Sequence, residues 1–306
     1  GADGVNTGYH GASYNASGKT IMRQKNILII FILSFLFLFE LGYLADIFAR
    51  DNQADTFFRA NKEYSVGQKA MAEGKKEDAV GEFEQAVSLY EQLIESGFIN
   101  GQIYYNLGNA YYRLGTPGKA IMYYRRAEEL LPRDADIKTN INLLKRDFVD
   151  RETVGQKPEI LKVACFWYFY LNLSEITAIT IYIYLALIAS ILSIIFLRLQ
   201  WLKKMIIIFA SCFLVLVITL GIKAYNHSVE MGVVIADESK IRYGPGEEFE
   251  PRFKIHEGAE VRIEEKKDKW YKVYVYVDVE EVHDDEGKKE AEFKTGWIPE
   301  SEVGKI

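Results

Sequence analysis

At 306 residues the chain has room for two or three domains, and its net charge of −6, with no basic stripe, excludes a nucleic-acid binder. Two cysteines, Cys165 and Cys212, cannot build a disulfide framework; both lie in or beside apolar runs, where a thiol behaves as a small hydrophobe. The 49% hydrophobic content is ordinary for a soluble protein, but its apolar residues are bunched into three long runs.

Residues 1–21 are rich in Gly, Ala, Ser and Asn and lack periodicity, which predicts no packed structure. Met22 opens a stretch in which Arg23 and Lys25 precede the apolar run Ile27–Phe39, the order of a secretory signal. As a helix that run rises only about 20 Å, short for a membrane span. Residues 22–49 therefore read as a signal peptide cleaved near Ala49, with an uncleaved signal anchor as the alternative. Met22 is the expected initiator and residues 1–21 an upstream extension. Ser13–Thr20 (S-Y-N-A-S-G-K-T) imitates a phosphate-binding loop, but Ser13 replaces the first glycine and no strand precedes it. A phosphate loop works by joining a strand to a helix N-terminus, so no nucleotide site is expected.

Residues 55–148 read as helices with short turns, and the segment matches itself at a constant offset of 41 residues. Gly67 pairs with Gly108, Gly74 with Gly115, Ala79 with Ala120, Phe83 with Tyr124 and Ala86 with Ala127. Small residues at 67/108 and 79/120 let two antiparallel helices approach closely, while Phe83, Tyr124 and Leu107 fill the space between them. Gly74 and Gly115 supply the turns, and Pro132 ends the second pair.

The second copy, Tyr104…Leu107-Gly108…Tyr111…Gly115…Ala120…Tyr124…Ala127…Pro132, resembles the tetratricopeptide repeat. The offset exceeds that family's 34-residue period by about seven residues, expected within Tyr90–Gly101. A third helix, Ala135–Arg146, is expected to cap the array. The resemblance implies a concave, partner-binding face lined by the first helix of each pair. In the second repeat these residues are Gln102, Tyr105, Asn106, Asn109, Tyr112 and Arg113; in the first they are Asn61, Tyr64, Gln68 and Met71. Tyr105 stands where some members carry a lysine that clamps a peptide carboxylate, so that clamp is not implied.

Residues 160–174 hold the cluster Phe166-Trp167-Tyr168-Phe169-Tyr170, a composition that suits a bilayer interface. Residues 176–197 and 205–222 follow as two transmembrane helices, about 33 and 27 Å long. Between them Arg198, Lys203 and Lys204 predict a cytoplasmic turn, which returns both ends of the hairpin to the opposite face. That agrees with the side to which an N-terminal signal sends the repeats. Neither span contains a charged residue, so the hairpin reads as an anchor and not an ion pathway.

Residues 229–306 alternate apolar and polar at a strand's period, as in Tyr271-Lys-Val273-Tyr-Val275. The order Ile241-Arg242-Tyr243-Gly244-Pro245-Gly246, then Phe253…His256-Glu257-Gly258…Val261, Trp270-Tyr271-Lys272-Val273 and Gly296-Trp297-Ile298 resembles the bacterial SH3-like barrel. The resemblance implies Tyr243, Trp270 and Trp297 as candidate partner-binding aromatics, although Trp270 and Trp297 read equally well as core. Asp278–Glu292 is an insertion expected as a solvated hairpin tip or loop. His256 is expected to be exposed in a turn, and Glu264-Glu265 and Asp284-Asp285-Glu286 to be solvated charge runs. No catalytic constellation, metal site or cofactor site is expected.

The expected fold class is a multi-domain membrane protein: an α-helical tetratricopeptide repeat lobe, a two-helix transmembrane hairpin and a small all-β SH3-like barrel. In that order, after a signal segment, these parts resemble the BatE-type family of the bacterial aerotolerance operon. The resemblance implies a non-enzymatic adaptor or scaffold of an envelope complex linked to stress tolerance. Its implied partners are the lipid bilayer, von Willebrand A-domain membrane proteins and a MoxR-type ATPase system. Its implied place is the bacterial inner membrane, with both lobes in the periplasm. The alternative is a peptidoglycan-binding or wall-remodelling accessory protein.

Overall fold

A computed structural model describes residues 53–150, 165–197, 202–283 and 289–306. The signal segment, the phosphate-loop imitation, Arg198 in the basic turn and the acidic run at 284–286 lie outside the described residues. The chain divides into two units, Gly1–Thr56 and Phe57–Ile306, and the contacts below belong to the second.

Five helices build the repeat lobe: α1 (residues 53–72), α2 (Lys76–Glu95), α3 (Gly101–Arg113), α4 (Pro117–Leu130) and α5 (Ala135–Asp147). Gly74 and Gly115 both adopt positive φ, 79° and 73°, as the turns of the two pairs require. The internal offset is a packing relation. A methyl group on Gly67 would lie 2.8 Å from the Phe83 ring, and one on Gly108 would lie 2.7 Å from the Tyr124 ring. The first repeat's extra length falls largely in its second helix, since α2 has 20 residues where α4 has 14. Asn100 caps α3 by accepting from Gln102 N–H, and Asp134 caps α5 by accepting from Asp136 and Ile137 N–H.

A short aromatic helix, α6 (Phe166–Tyr170), leads into α7 (Leu173–Leu197) and α8 (Leu202–Ser228), which pack as a hairpin. Asn172 and Glu175 form a reciprocal capping box at the start of α7: each side chain accepts from the other's backbone N–H. Among the described residues these two helices are long and apolar enough to cross a membrane. Only 17% and 6% of their apolar windows are buried, so their apolar faces point outward, unlike the core helices of a soluble protein. The second helix runs six residues past the predicted end, adding Lys223, Asn226 and His227 as a polar final turn.

The C-terminal lobe is a seven-stranded antiparallel sheet in the order β3-β2-β6-β5-β4-β1-β7. Its strands are β1 (Met231–Val234), β2 (Glu238–Arg242), β3 (Pro251–His256), β4 (Glu260–Lys267), β5 (Trp270–His283), β6 (Lys289–Pro299) and β7 (Val303–Lys305). Val234, Ile241, Ile255, Val261, Val273, Ile298 and Val303, one from each strand, meet in a single buried cluster. A flat seven-stranded sheet could not bring its two edges to one core, so this sheet is curled around it. Asp278–Glu292, expected as a hairpin tip or loop, is a hairpin whose arms continue β5 and β6: Asp278 pairs with Ala291 and His283 with Lys289, across one register shift.

Candidate protein-interaction surface

The first helices of the repeats, α1 and α3, present the residues expected on the concave face, and α5 stacks after them. Two polar junctions stitch these helices together. Asn61 Oδ1 accepts from the Tyr90 hydroxyl (2.6 Å) and from Asn106 Nδ2 (2.9 Å). Asn109 Oδ1 accepts from the Tyr124 hydroxyl (2.7 Å) and from Asn140 Nδ2 (3.2 Å). Burial pushes both tyrosine hydroxyls well above their ordinary range, which keeps them neutral donors.

Tyr64 packs on Phe83 and Tyr105 on Tyr124, with ring centroids 5.5 and 5.9 Å apart, the same contact in both repeats. Asn61, Tyr64, Tyr105, Asn106 and Asn109 are therefore half-buried and partly committed to the repeat itself, while Gln68, Gln102, Tyr112 and Arg113 are exposed. Asn140, which the sequence offered only as part of a cap, joins the second junction because α5 stacks as a third first helix. Tyr112 also lines an open cleft of about 540 Å³ with Phe148, Asp237, His256 and Glu257, where the concave face meets the sheet.

The sheet docks on the other side of the second repeat, on α4. Arg125 Nε and Nη2 both donate to Glu260 Oε1, at 2.8 and 2.6 Å, and Lys145 Nζ lies 3.0 Å from the same oxygen. The Glu260 side chain is only 9% exposed. Burial alone would push its carboxyl up; Arg125 and Lys145 outweigh that and hold it below its ordinary value. Glu257 Oε1 accepts from Gly118 N–H at 2.7 Å, in the first turn of α4. The helix's own N-cap residue, Thr116, makes no side-chain cap bond, so the sheet supplies the cap. Val233 of β1 joins the apolar core of the repeats, and Phe148 lies where any side chain at Gly258 would have to sit.

His256, expected to be free in a turn, instead docks on the end of α5's tail. Its backbone N–H donates to Asp150 Oδ2 at 2.6 Å and its ring Nδ1 lies 3.2 Å from the same atom. The end of β3 and the turn after it are the sheet's contact with the repeats, which local polarity does not reveal. Trp270 and Trp297 alternate with the inward-facing Tyr271, Gly296 and Ile298, so both lie half-exposed on the outer face of the sheet. Trp270 pairs with Pro299 and Lys272 with Trp297, which makes the two tryptophans diagonal neighbours. Tyr243 lies beyond the end of β2, exposed, with the Arg252 guanidinium 5.5 Å from its ring.

This geometry is shared with a known family over one repeat. Residues 101–134 match the tetratricopeptide repeat. The matched stretch is α3, α4 and the turn into α5, and the 41-residue echo in α1 and α2 extends the same packing one step further. Tetratricopeptide repeats generally mediate protein–protein interactions, which makes the α1–α3–α5 face the candidate surface. A comparison with curated proteins finds no match to the chain. Among the described residues no cluster of three or more His, Cys, Asp or Glu side chains could hold a metal ion.

Proposed function

We propose that the chain is a membrane-anchored, non-enzymatic adaptor of a bacterial envelope complex, of the kind its resemblance to the BatE-type family implies. The observation that carries this reading is the one-sided use of the repeat lobe. The sheet closes the α4 side through Arg125–Glu260 and Glu257–Gly118, while Gln68, Gln102, Tyr112 and Arg113 stand exposed on the first-helix side. A second observation supports the anchor. The repeats and the sheet touch each other, yet the chain between them runs out along α7 and back along α8. Helices that cross a bilayer must then return the chain to its starting side. Lys203 and Lys204 at the far end of the hairpin favour a cytoplasmic turn, and so extracytoplasmic lobes, which in a two-membrane cell lie in the periplasm. The curled sheet, with a core drawn from every strand, suits the SH3-like reading.

The partners in this reading are envelope proteins held on the concave face, with von Willebrand A-domain membrane proteins and a MoxR-type ATPase system as the first to test. A photoreactive residue in place of Gln102 or Arg113, in the full chain in native membranes, should capture a discrete envelope protein. The same residue in place of Glu84, on the exposed side of α2, should not. Absence of any adduct at both concave positions would argue against the adaptor. A second reading, wall binding, is favoured by the half-exposed Trp270–Trp297 pair. It requires the full chain to co-sediment with purified peptidoglycan and to lose that on Trp297→Ala.

A further inference from the structure

Where α7 begins and α8 ends, the chain forms an open cleft of about 690 Å³. Its walls come from α4 and α5 of the repeats (Glu128, Glu129, Lys138), the aromatic helix α6 (Tyr168) and the last turns of α8 (Lys223, His227). A charge count distinguishes it from an ordinary ion-pair cluster. Glu128 is taken by Arg125 at 2.6 Å, and Glu175, which is not part of the lining, is taken by Arg133 at 2.6 Å. Lys223 donates to the Leu171 carbonyl and lies 5.4 Å from the Tyr168 ring centroid, with no carboxylate in ion-pair range among the described residues. Lys138 forms no ion pair or hydrogen bond among the described residues. Glu129 has only a long contact, 3.9 Å, to His227 Nδ1. The cleft therefore presents two ammonium groups without an ion-pair partner among the described residues, Lys223 keeping N–H donors to spare beyond the one on the Leu171 carbonyl, and one loosely engaged carboxylate.

We propose that this cleft seats the headgroup of an ethanolamine phospholipid. The phosphodiester lies between Lys223 and Lys138, and the primary ammonium donates to Glu129. The acyl chains run down the outward-facing apolar surface of α7 and α8, where Ile179, Tyr182, Leu214 and Ile218 are exposed. The position fits, because the polar ends of spanning helices, with a belt of aromatic side chains, lie at the headgroup layer. The pairing selects the lipid class. A trimethylammonium headgroup offers Glu129 no N–H donor, and a glycerol headgroup leaves it without a cation. Free phosphate carries neither the amine nor the chains. This inference rests on the membrane-anchor reading above.

The test is native mass spectrometry of the full chain released from nanodiscs holding equal parts ethanolamine, choline and glycerol phospholipids. One ethanolamine lipid should be retained in preference to the other two, and millimolar inorganic phosphate should not displace it. Lys223→Gln with Lys138→Gln should lower its retention about a hundredfold, the scale of two lost charge-assisted hydrogen bonds. Glu129→Gln should abolish the preference for ethanolamine over choline, with thermal unfolding unchanged in each variant. Equal retention of the three classes, displacement by phosphate, or full retention by both variants would overturn the headgroup site. Release of the chain from membranes by alkaline carbonate would instead refute the anchor; a carbonate-resistant chain without the lipid preference refutes the headgroup site alone.

Discussion

Arg125 on the second repeat and Glu260 on the C-terminal sheet, 135 positions apart, meet through two hydrogen bonds to one carboxylate oxygen. Lys145 reaches that oxygen from α5 and Glu128 holds the other side of the guanidinium. The pair is mostly shielded from water, so it joins two lobes that the sequence separates by a membrane-length hairpin. It also fixes which face of the repeats stays free.

Removing one member should therefore loosen the joint. Glu260→Ala takes from Arg125 its two hydrogen bonds to the sheet and from Lys145 its ion pair there, a loss of about 3 kcal/mol, near the low end for a broken buried pair because Arg125 keeps Glu128. Denaturant unfolding of the detergent-solubilised chain measures it. Replacing Arg125 and Glu260 together by Met should restore part of the loss, since a well-packed apolar pair avoids the desolvation cost while Lys145 and Glu128 still lose one partner each.

The joint should respond to pH in two opposite steps. Burial pushes the Glu257 carboxyl above its ordinary value, against the opposing Gly118 N–H. Its ionised form is penalised in the docked state, so lowering the pH from neutral towards the ordinary carboxylate value relieves a cost and adds stability. Glu260 is held below its ordinary value, so its contribution is complete above about pH 4.3 and is lost as the pH falls through the lower, folded-state value. Hydrogen exchange across Glu257–Val261 should accordingly hold or slow on going from pH 7 to about pH 5, after correction for intrinsic rates, and accelerate below about pH 4. Glu257→Gln should remove the first step and leave the second. A loss of protection that begins at pH 7 and grows steadily would contradict the assignment.

The repeated glycines give a third check. Gly108→Ala sets a methyl group 2.7 Å from the Tyr124 ring, an overpacking cost of about 1–3 kcal/mol, and Gly67→Ala should do the same against Phe83. Combining Gly108→Ala with Tyr124→Leu should cost less than the two separate effects added together. Gly81 has no neighbour within 4 Å of its absent methyl, so Gly81→Ala should stabilise α2 by roughly 0.5–1 kcal/mol. Thermal unfolding of the three glycine variants and the double variant orders them.

A fourth concerns the concave face. Arg113 and Gln102 are exposed and, among the described residues, make no contact that holds the repeats together, apart from the helix cap at Gln102 N–H. Arg113→Glu should change stability by less than about 0.5 kcal/mol while abolishing capture of the partner in the cross-linking experiment. Retained capture would move the interface elsewhere.

The sequence made some of these relations legible and concealed others. Gly108 and Tyr124 could be read because each is half of a contact repeated at 67 and 83, and helical spacing places both halves within one repeat. The apolar helices were readable from length alone. Glu257 and Glu260 were not. A carboxylate in a turn or at the head of an alternating strand has the same local pattern whether it faces water or an arginine, and Gly118 and Arg125 lie more than 130 residues away. His256 was misjudged for the same reason. Asp278–Glu292 was read from its charge as a hairpin tip or loop, and a hairpin forms, but its charge gave no sign that the β5–β6 ladder would run out to His283 and Lys289.

Sidedness labelling tests the central claim most directly. In a full chain with Cys165 and Cys212 replaced by Ser, single cysteines at Arg113, Lys254 and Lys203 report the concave face, the sheet and the far end of the hairpin. With a membrane-impermeant maleimide, the cysteines at 113 and 254 should label from the extracytoplasmic side and the one at 203 only after the membrane is opened. Labelling of 113 and 254 from opposite sides would contradict an account in which the two lobes form one docked body above a two-helix anchor.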